Sequence, residues 1–301
     1  MPLAHSAMAV LVVGIWGTNF VVIHAGLARF PPFTFAALRF LLASVPLLWF
    51  VPRPRLPLGT VIAYGLLIGV GQFGLMLYAI AGHIAPGLAS LVIQTQAFFT
   101  VMIAALLARE TIRSRTVVAL LLCAIGIAAV AVRGGGDADL LGILLVLGGA
   151  LGWAGGNIVV KRAGRVEMLP LVVWSSLVSA IALLGAALAF EGPARFVTSI
   201  EHADRGGWLA LAWQSFGNTL FGYGIWNWLL ARHPAAQVAP MGLLVPIFGM
   251  SASAYMLGEA MPAWKLAAAA LVLAGLAINL APYRTGTDRA ARDSAPNSRA
   301  E

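Results

Sequence analysis

The chain is poor in charge, in cysteine and in any cluster of residues that performs chemistry. Charged side chains make up 10% of its 301 residues and hydrophobic ones 60%, where a soluble domain carries about 25% charge. A water-soluble protein of this length has too little interior to hide so much apolar surface. The deficit therefore excludes an ordinary soluble globule and points to lipid as the main solvent; the mean hydropathy of +0.90 agrees. The single cysteine, Cys123, excludes an intramolecular disulfide and reads as apolar packing. There is no H-E-x-x-H, no G-x-S-x-G and no cysteine–histidine cluster, so neither a metal, nor a cofactor, nor an enzyme is expected. The stretch GVGQFG (69–74) fits G-x-G-x-x-G, but it lies inside an apolar run with no strand before it and reads as helix packing. The net charge of +8 is not gathered into a stripe with interleaved aromatics, which speaks against a nucleic-acid partner.

What is present is a series of ten apolar runs, roughly 7–28, 34–51, 60–81, 86–107, 115–132, 140–160, 170–190, 207–230, 235–257 and 263–282. Each is near the length a helix needs to cross a bilayer. The expected fold class is an all-α polytopic membrane protein with ten transmembrane helices. The first run lacks a basic segment before it and is too long for a secretory signal, so it reads as a retained span. A polar tail, 283–301, reads as disordered and cytoplasmic. With the N-terminus inside, 13 of the 19 basic residues fall on the cytoplasmic side and 5 on the outer side, Arg39 lying within a span. That bias predicts both termini in the cytoplasm.

The two halves resemble each other. A shift of 149 residues lays Glu110 on Glu259, Gly126 on Gly275 and Phe99 on Phe248, and WGTNFVV (16–22) echoes WAGGNIVV (153–160). Five spans per half is an odd number, so the halves must cross in opposite directions. This predicts two inverted five-helix repeats, 7–132 and 140–282, a device of transporters with the substrate site between the halves.

The polar residues inside the runs are the candidate site. An unpaired amide in hydrocarbon costs several kcal/mol, so these side chains must face protein or a wet path. Trp16 and Asn19 share a face of the first helix; Trp153, Asn157 and Lys161 form a stripe on the sixth; Gln214 and Asn218 pair on the eighth, with Tyr223 on a second face. Gln72 and Tyr78 lie on the third. On the fourth, Gln94 and Gln96 stand about 200° apart in a regular helix, so one is expected to line the path and the other to bond a neighbour. For each residue alone an interhelical hydrogen bond is the plain alternative. Arg39 either snorkels to the outer interface or meets a substrate carboxylate. His24 is either an interfacial side chain or a proton-coupling group. No Asp or Glu lies in the middle of any run. Pro46, Pro240 and Pro246 interrupt the second and ninth runs and permit kinks.

In order along the chain, IWGTNFVVIHAGL, LRFLLAS, APGLASLVIQTQAFFT with ARE, the Trp-x-x-x-Asn of the sixth run, GYGIWNWLLARH and VAPMGLLVPIFG resemble the EamA-type drug/metabolite transporters. The likeness covers about 7–282. It implies ten helices in two inverted repeats, a bacterial inner-membrane location and a small-molecule substrate. GLASLV and GYGIW carry a narrower likeness to members that export O-acetylserine and cysteine; His24 departs from it, such proteins often having lysine there. On this reading Trp16, Asn19, Gln94, Trp153, Asn157, Asn218 and Tyr223 line the cavity and Arg39 meets a carboxylate. A carrier for a drug or aromatic metabolite and a non-transporting membrane subunit are the alternatives, and a homo-oligomer is left open.

Overall fold

The computed structural model describes residues 1–108, 114–164 and 166–280. The tail expected from 283 onward, and Arg109, Glu110, Arg113 and Arg165, lie outside these residues. Among the described residues the protein is all-helical: α1 (Leu3–Leu27), α2 (Pro32–Leu47), α3 (Leu58–Gly82), α4 (Pro86–Ala108), α5 (Ser114–Arg133), α6 (Leu140–Ala163), α7 (Met168–Glu191), a short α8 (Pro193–Glu201), α9 (205–232), α10 (Ala239–Leu257) and α11 (Ala263–Leu280). Eight of them are long and apolar enough to cross a membrane. The other two long elements fall short for different reasons. The α2 helix is brief, and α9 carries buried Gln214, Ser215, Asn218 and Thr219 in its middle. Leucines, valines and isoleucines stand exposed around the bundle, as on α5 at Leu121, Ile125 and Val132. A chain with lipid for solvent turns such a surface outward. This is a multi-pass membrane protein.

Four helices depart from regular α geometry where polar or glycine-rich sequence occurs. Wide π-type turns run through Leu66–Gly74 in α3 and Trp213–Gly222 in α9; tight 3₁₀ turns run through Ile93–Thr95 in α4 and Ala239–Leu243 in α10. The glycines of the α3 segment let neighbours approach. A Cβ on Gly71 would lie 3.3 Å from Gly152 Cα, and one on Gly69 would lie 2.9 Å from Ser179 Cα. GVGQFG is thus a packing surface against α6 and α7, as its apolar setting implies. Pro246 sits within α10, whereas Pro46 falls in the tight last turn of α2, Val45–Leu47. The expected second span to residue 51 is therefore cut short: Pro46 ends that helix rather than kinking it.

The helices pack in reciprocal pairs: α5 on α11, α2 on α7 and α4 on α10; α1 on α10 and α6 on α4; α1 on α9 and α6 on α3; α2 on α9 and α7 on α3. The α5–α11 crossing is a close one. A Cβ on Gly126 would lie 2.8 Å from Val272 Cγ2, and one on Gly275 would lie 2.6 Å from Ala119 O.

One end of the bundle is tied by acidic side chains. Pro31 and Ala85 precede α2 and α4 and offer no side-chain cap. The caps come from elsewhere. Glu191, at the end of α7, accepts from Phe33 N (2.6 Å), Thr34 N (3.0 Å) and Thr34 Oγ1 (2.7 Å). Glu259, beyond α10, accepts from Gly87 N at 3.0 Å and from Lys265 Nζ at 2.9 Å. Carboxylates at helix N-termini satisfy orphan amides and oppose the dipole favourably. Asp204 caps α9 at Gly207 N (2.7 Å) and pairs with Arg29 at 2.6 Å; the Arg29 bond, then the Gly207 amide, hold its carboxyl below the usual range. We call this the far end. The near end holds the N-terminus: Met1 N bonds Gln237 Oε1 (3.3 Å), His5 Nδ1 lies 2.6 Å from His233 Nε2, and Trp174 Nε1 donates to Val51 O (3.2 Å).

Gly126→Leu or Gly275→Leu is expected to cost about 1–3 kcal/mol by overpacking, read as a lower melting temperature in detergent. Gly185→Leu, where a Cβ meets nothing within 4 Å, should change it little. At the near end, lost hydration and then the charges of His5, the N-terminal amine and Arg232 lower the His233 pKa. The fold therefore favours neutral His233. Its contribution is complete above the ordinary imidazole value of about 6.5 and is lost as pH falls through the depressed value. Melting temperature should fall between about pH 7 and 5 more steeply in the wild type than in His5→Gln.

Candidate functional site

Three neighbouring spaces with shared walls lie between the halves. The largest, about 500 Å³, runs from the middle of the bundle to the near end, where Val160, Met168, Leu230 and Leu280 form its rim. An annex of about 50 Å³ continues inward past Trp16 and Tyr223 to Asn19, Gln72 and Asn218. A side pocket of about 10 Å³ lies between α2, α3, α7 and α9, with Arg39 and Phe73 in its wall.

Helix geometry explains who lines the large cavity. On α1, Gly17 sits against α10, where its Cβ would lie 2.5 Å from Phe248 Cβ. That close crossing turns Trp16, one residue earlier, toward α9. Its indole N–H donates to Asn218 O (3.3 Å), and its ring stands 5.4 Å from Tyr223 and 5.1 Å from Trp226. On α6, Asn157 Nδ2 donates to Gln96 Oε1 and Thr100 Oγ1, both at 3.2 Å; Trp153, one turn earlier, lines the same space. Gln94 Nε2 donates to Gly242 O at 2.9 Å, in the tight turn of α10.

Of the residues expected to form the site, Trp16, Gln94, Trp153, Asn157 and Tyr223 line the large cavity, and Asn19 and Asn218 line the annex. Asn19 is half committed elsewhere: its amide and that of Gln214 exchange bonds of 2.8 and 3.4 Å across α1 and α9. Gln214 is wholly buried and belongs to the scaffold of the site. The expectation that Gln94 and Gln96 cannot share a cavity does not hold, since both line it. The tight turn Ile93–Thr95 advances about 120° per residue instead of about 100°, and the cavity wraps that side of α4. Arg39 lines neither of the two larger spaces, and it does not snorkel. It is completely buried, behind Phe73 as seen from the annex. His24 is exposed on α1 and Lys161 on α6, and neither lines these spaces; Tyr78 is 40% exposed on the outside of α3. Residues not singled out beforehand are Tyr64, Trp226 and Asn279, which also line the cavity. Tyr64 and Trp226 carried no signal, as aromatic side chains in apolar runs are equally at home facing lipid. Among the described residues no group of three or more His, Cys, Asp or Glu could hold a metal ion.

Among the described residues the lining of the large cavity contains amides, hydroxyls and five large aromatic rings, and no charged side chain. Such a space suits a small solute of no net charge, held by hydrogen bonds and ring faces.

The comparisons with known proteins agree with this picture. A model of the EamA-like transporter family matches twice, over residues 5–132 and 140–281. The chain is 40% identical over 283 residues to a Salmonella typhimurium protein named "Probable amino-acid metabolite efflux pump", covering 92% of this chain and 95% of that one. An Escherichia coli protein of the same name is 38% identical, over 91% of this chain and 93% of its own length. A protein known from its crystal structure, 18% identical, shares the fold with a TM-score of 0.61 over 92% of this chain and 97% of its own. With the family model spanning nearly the whole chain, in a bundle of apolar helices around a polar cavity, this protein belongs to the EamA-like transporter family and is a transporter rather than an enzyme.

Proposed function

We propose that the protein is a secondary exporter of small amino-acid-type metabolites, cysteine, O-acetylserine or close relatives, across the bacterial inner membrane by alternating access. The observation that carries this reading is the near-end cavity of about 500 Å³ with its uncharged amide and aromatic lining. A cavity of that size takes a small organic solute, and a zwitterion has no net charge to be opposed. The printed names of the two bacterial relatives support the substrate class.

The topology proposed with it is ten crossings, α1 to α7 and α9 to α11, as two inverted five-helix units, 7–132 and 140–282, both termini cytoplasmic. The family model's two separate matches support the division. So do the irregular turns. A shift of 149 carries the wide turns at 66–74 onto 215–223, against 213–222 observed, and the tight turns at 93–95 onto 242–244, against 239–243. The main packing contacts between the halves, α1 on α10 with α6 on α4, α1 on α9 with α6 on α3 and α2 on α9 with α7 on α3, are counterparts under the same exchange. The bias of basic residues, 13 against 5, supports the orientation, which puts the cavity mouth on the cytoplasmic side. An exporter collects its substrate there. A second reading is favoured by Trp16, Trp153 and Trp226 in one cavity: efflux of a flat aromatic solute or drug.

Overexpression should speed release of labelled cysteine or O-acetylserine from loaded cells; unchanged release with the protein present in the membrane would reject this substrate class, and a resistance screen over aromatic drugs tests the second. Asn157→Ala removes the donor to Gln96 and Thr100 and should raise the half-saturating substrate concentration about tenfold, with folding intact. Asn19→Leu or Gln214→Leu alone strands the other amide and should cost about 1–3 kcal/mol of stability. The double variant should cost less than the sum, by about 0.6–1.7 kcal/mol.

A further inference from the structure

Among the described residues two basic side chains are completely buried in the bundle, Arg39 and Lys265, and the fold treats them differently. Lys265 Nζ has two carboxylates, Glu259 Oε1 at 2.9 Å and Asp137 Oδ2 at 3.1 Å. Arg39 has none. Its Nη2 donates to Thr219 Oγ1 at 2.8 Å, and its guanidinium lies 3.8 Å from the centre of the Phe73 ring and 4.9 Å from that of Phe40. Among the described residues its Nε and Nη1 meet no partner. The four helices around it present only apolar and hydroxyl side chains to the side pocket; the titratable ones are Tyr64 and Tyr223. A buried cation with donors unspent and no counter-ion is costly. Ring faces offset part of that cost, but they accept no hydrogen bond along Nε–H or Nη1–H.

The pocket beside the guanidinium has about 10 Å³ of space, the room of about one water molecule. A single carboxylate oxygen is of that size. Tyr64 and Tyr223 line both this pocket and the large cavity, so they form the wall between the two. In the pocket, the hydroxyls of Ser175 and Ser179 are spent on backbone carbonyls of Val172 and Gly65, while Ser176 Oγ donates to no group among the described residues. We propose that the side pocket is an anion subsite, in which Arg39, assisted by Ser176 and the two tyrosines, receives one oxygen of a carboxylate that enters between Tyr64 and Tyr223. This rests on the export reading above and narrows it. The solute carries a free carboxylate, its carbon skeleton stays in the large cavity, and the matching ester, amide or decarboxylated amine is a poor ligand. The shared chemistry also fits a free monoanion such as chloride, which the test separates.

The experiment uses the purified full-length protein in chloride-free detergent buffer. Acetate should raise the melting temperature of the wild type and acetamide should not; Arg39→Gln should lose the acetate response. In reconstituted vesicles, cysteine should be preferred over cysteine methyl ester and cysteamine by at least about 30-fold, the effect of leaving one partner of a buried charge pair alone. Arg39→Gln should abolish that preference and Arg39→Lys should keep part of it. Should Arg39→Gln fail to fold, Ser176→Ala and Tyr64→Phe must each weaken cysteine and leave the methyl ester unchanged. Equal response to acetate and acetamide, or a preference that survives Arg39→Gln, overturns the subsite. Stabilisation by chloride with none by acetate assigns the pocket to a free inorganic anion and overturns the carboxylate. If no cysteine derivative is transported while acetate still acts through Arg39, the export reading fails and the subsite stands.

Discussion

A polar group inside hydrocarbon has no water to turn to, so it must find its partner in the protein or in a water-filled space. Most of this structure can be derived from where that requirement is met. At the far end it is met by charge. The helices α2 and α4 begin after Pro31 and Ala85, which cannot cap them, and Glu191 and Glu259 reach across from α7 and from the turn after α10 to do so. Each of these bonds joins a helix of one half to a helix of the other. The same residues that complete the helix ends thus hold the two halves together. At the near end no carboxylate among the described residues plays that part; the ties there include Met1 to Gln237 and His5 to His233, and the halves stand apart around the cavity.

In the middle of the bundle the requirement is met by amides, and irregular helix turns decide which amides are spent and which stay open. The wide turns of α9 bring Gln214 to Asn19 and Asn218 O to Trp16. The tight turn of α4 brings both Gln94 and Gln96 to one cavity. Each is bonded to a neighbouring helix through one part of its amide, Gln94 through nitrogen and Gln96 through oxygen. An amide held at one end and free at the other is pre-oriented for a ligand without being orphaned when none is bound. Turns of π type recur at functional sites for this reason: they move side chains off the regular helical grid.

This also explains what the sequence could and could not reveal. The apolar runs were legible because lipid imposes a length and a composition, and most span limits fall within a few residues of the helices found. Trp16, Trp153 and Asn157 were legible because regular α geometry holds around them, so i, i+4 spacing gives the correct face. Gln94 and Gln96 were misjudged because the ideal angle fails at a 3₁₀ turn, and nothing in IQT announces one. The end of α2 was missed because hydropathy continues through Trp49 and Phe50 although the helix stops at Leu47, one residue after Pro46. For Arg39 the sequence offered the interface or the cavity. Its actual place behind Phe73 depends on four helices meeting, which no single-helix argument contains.

The two ends differ in what it would take to move them. To face the far side, an exporter of this shape would have to part the Glu191 contacts with α2, the Glu259 contact with α4 and the Arg29–Asp204 pair. Lys265 need not lose its charge partner in that motion, because Glu259 sits only six positions away on the same stretch of chain. What α4 gives up is one carboxylate at its N-terminus, exchanged for water at a membrane surface, which is a modest loss compared with exposing an amide to hydrocarbon. The latches therefore lie where breaking them exposes charge to water, and the amides lie where it would not. A bundle arranged that way can open at its tied end without stranding any polar group in lipid.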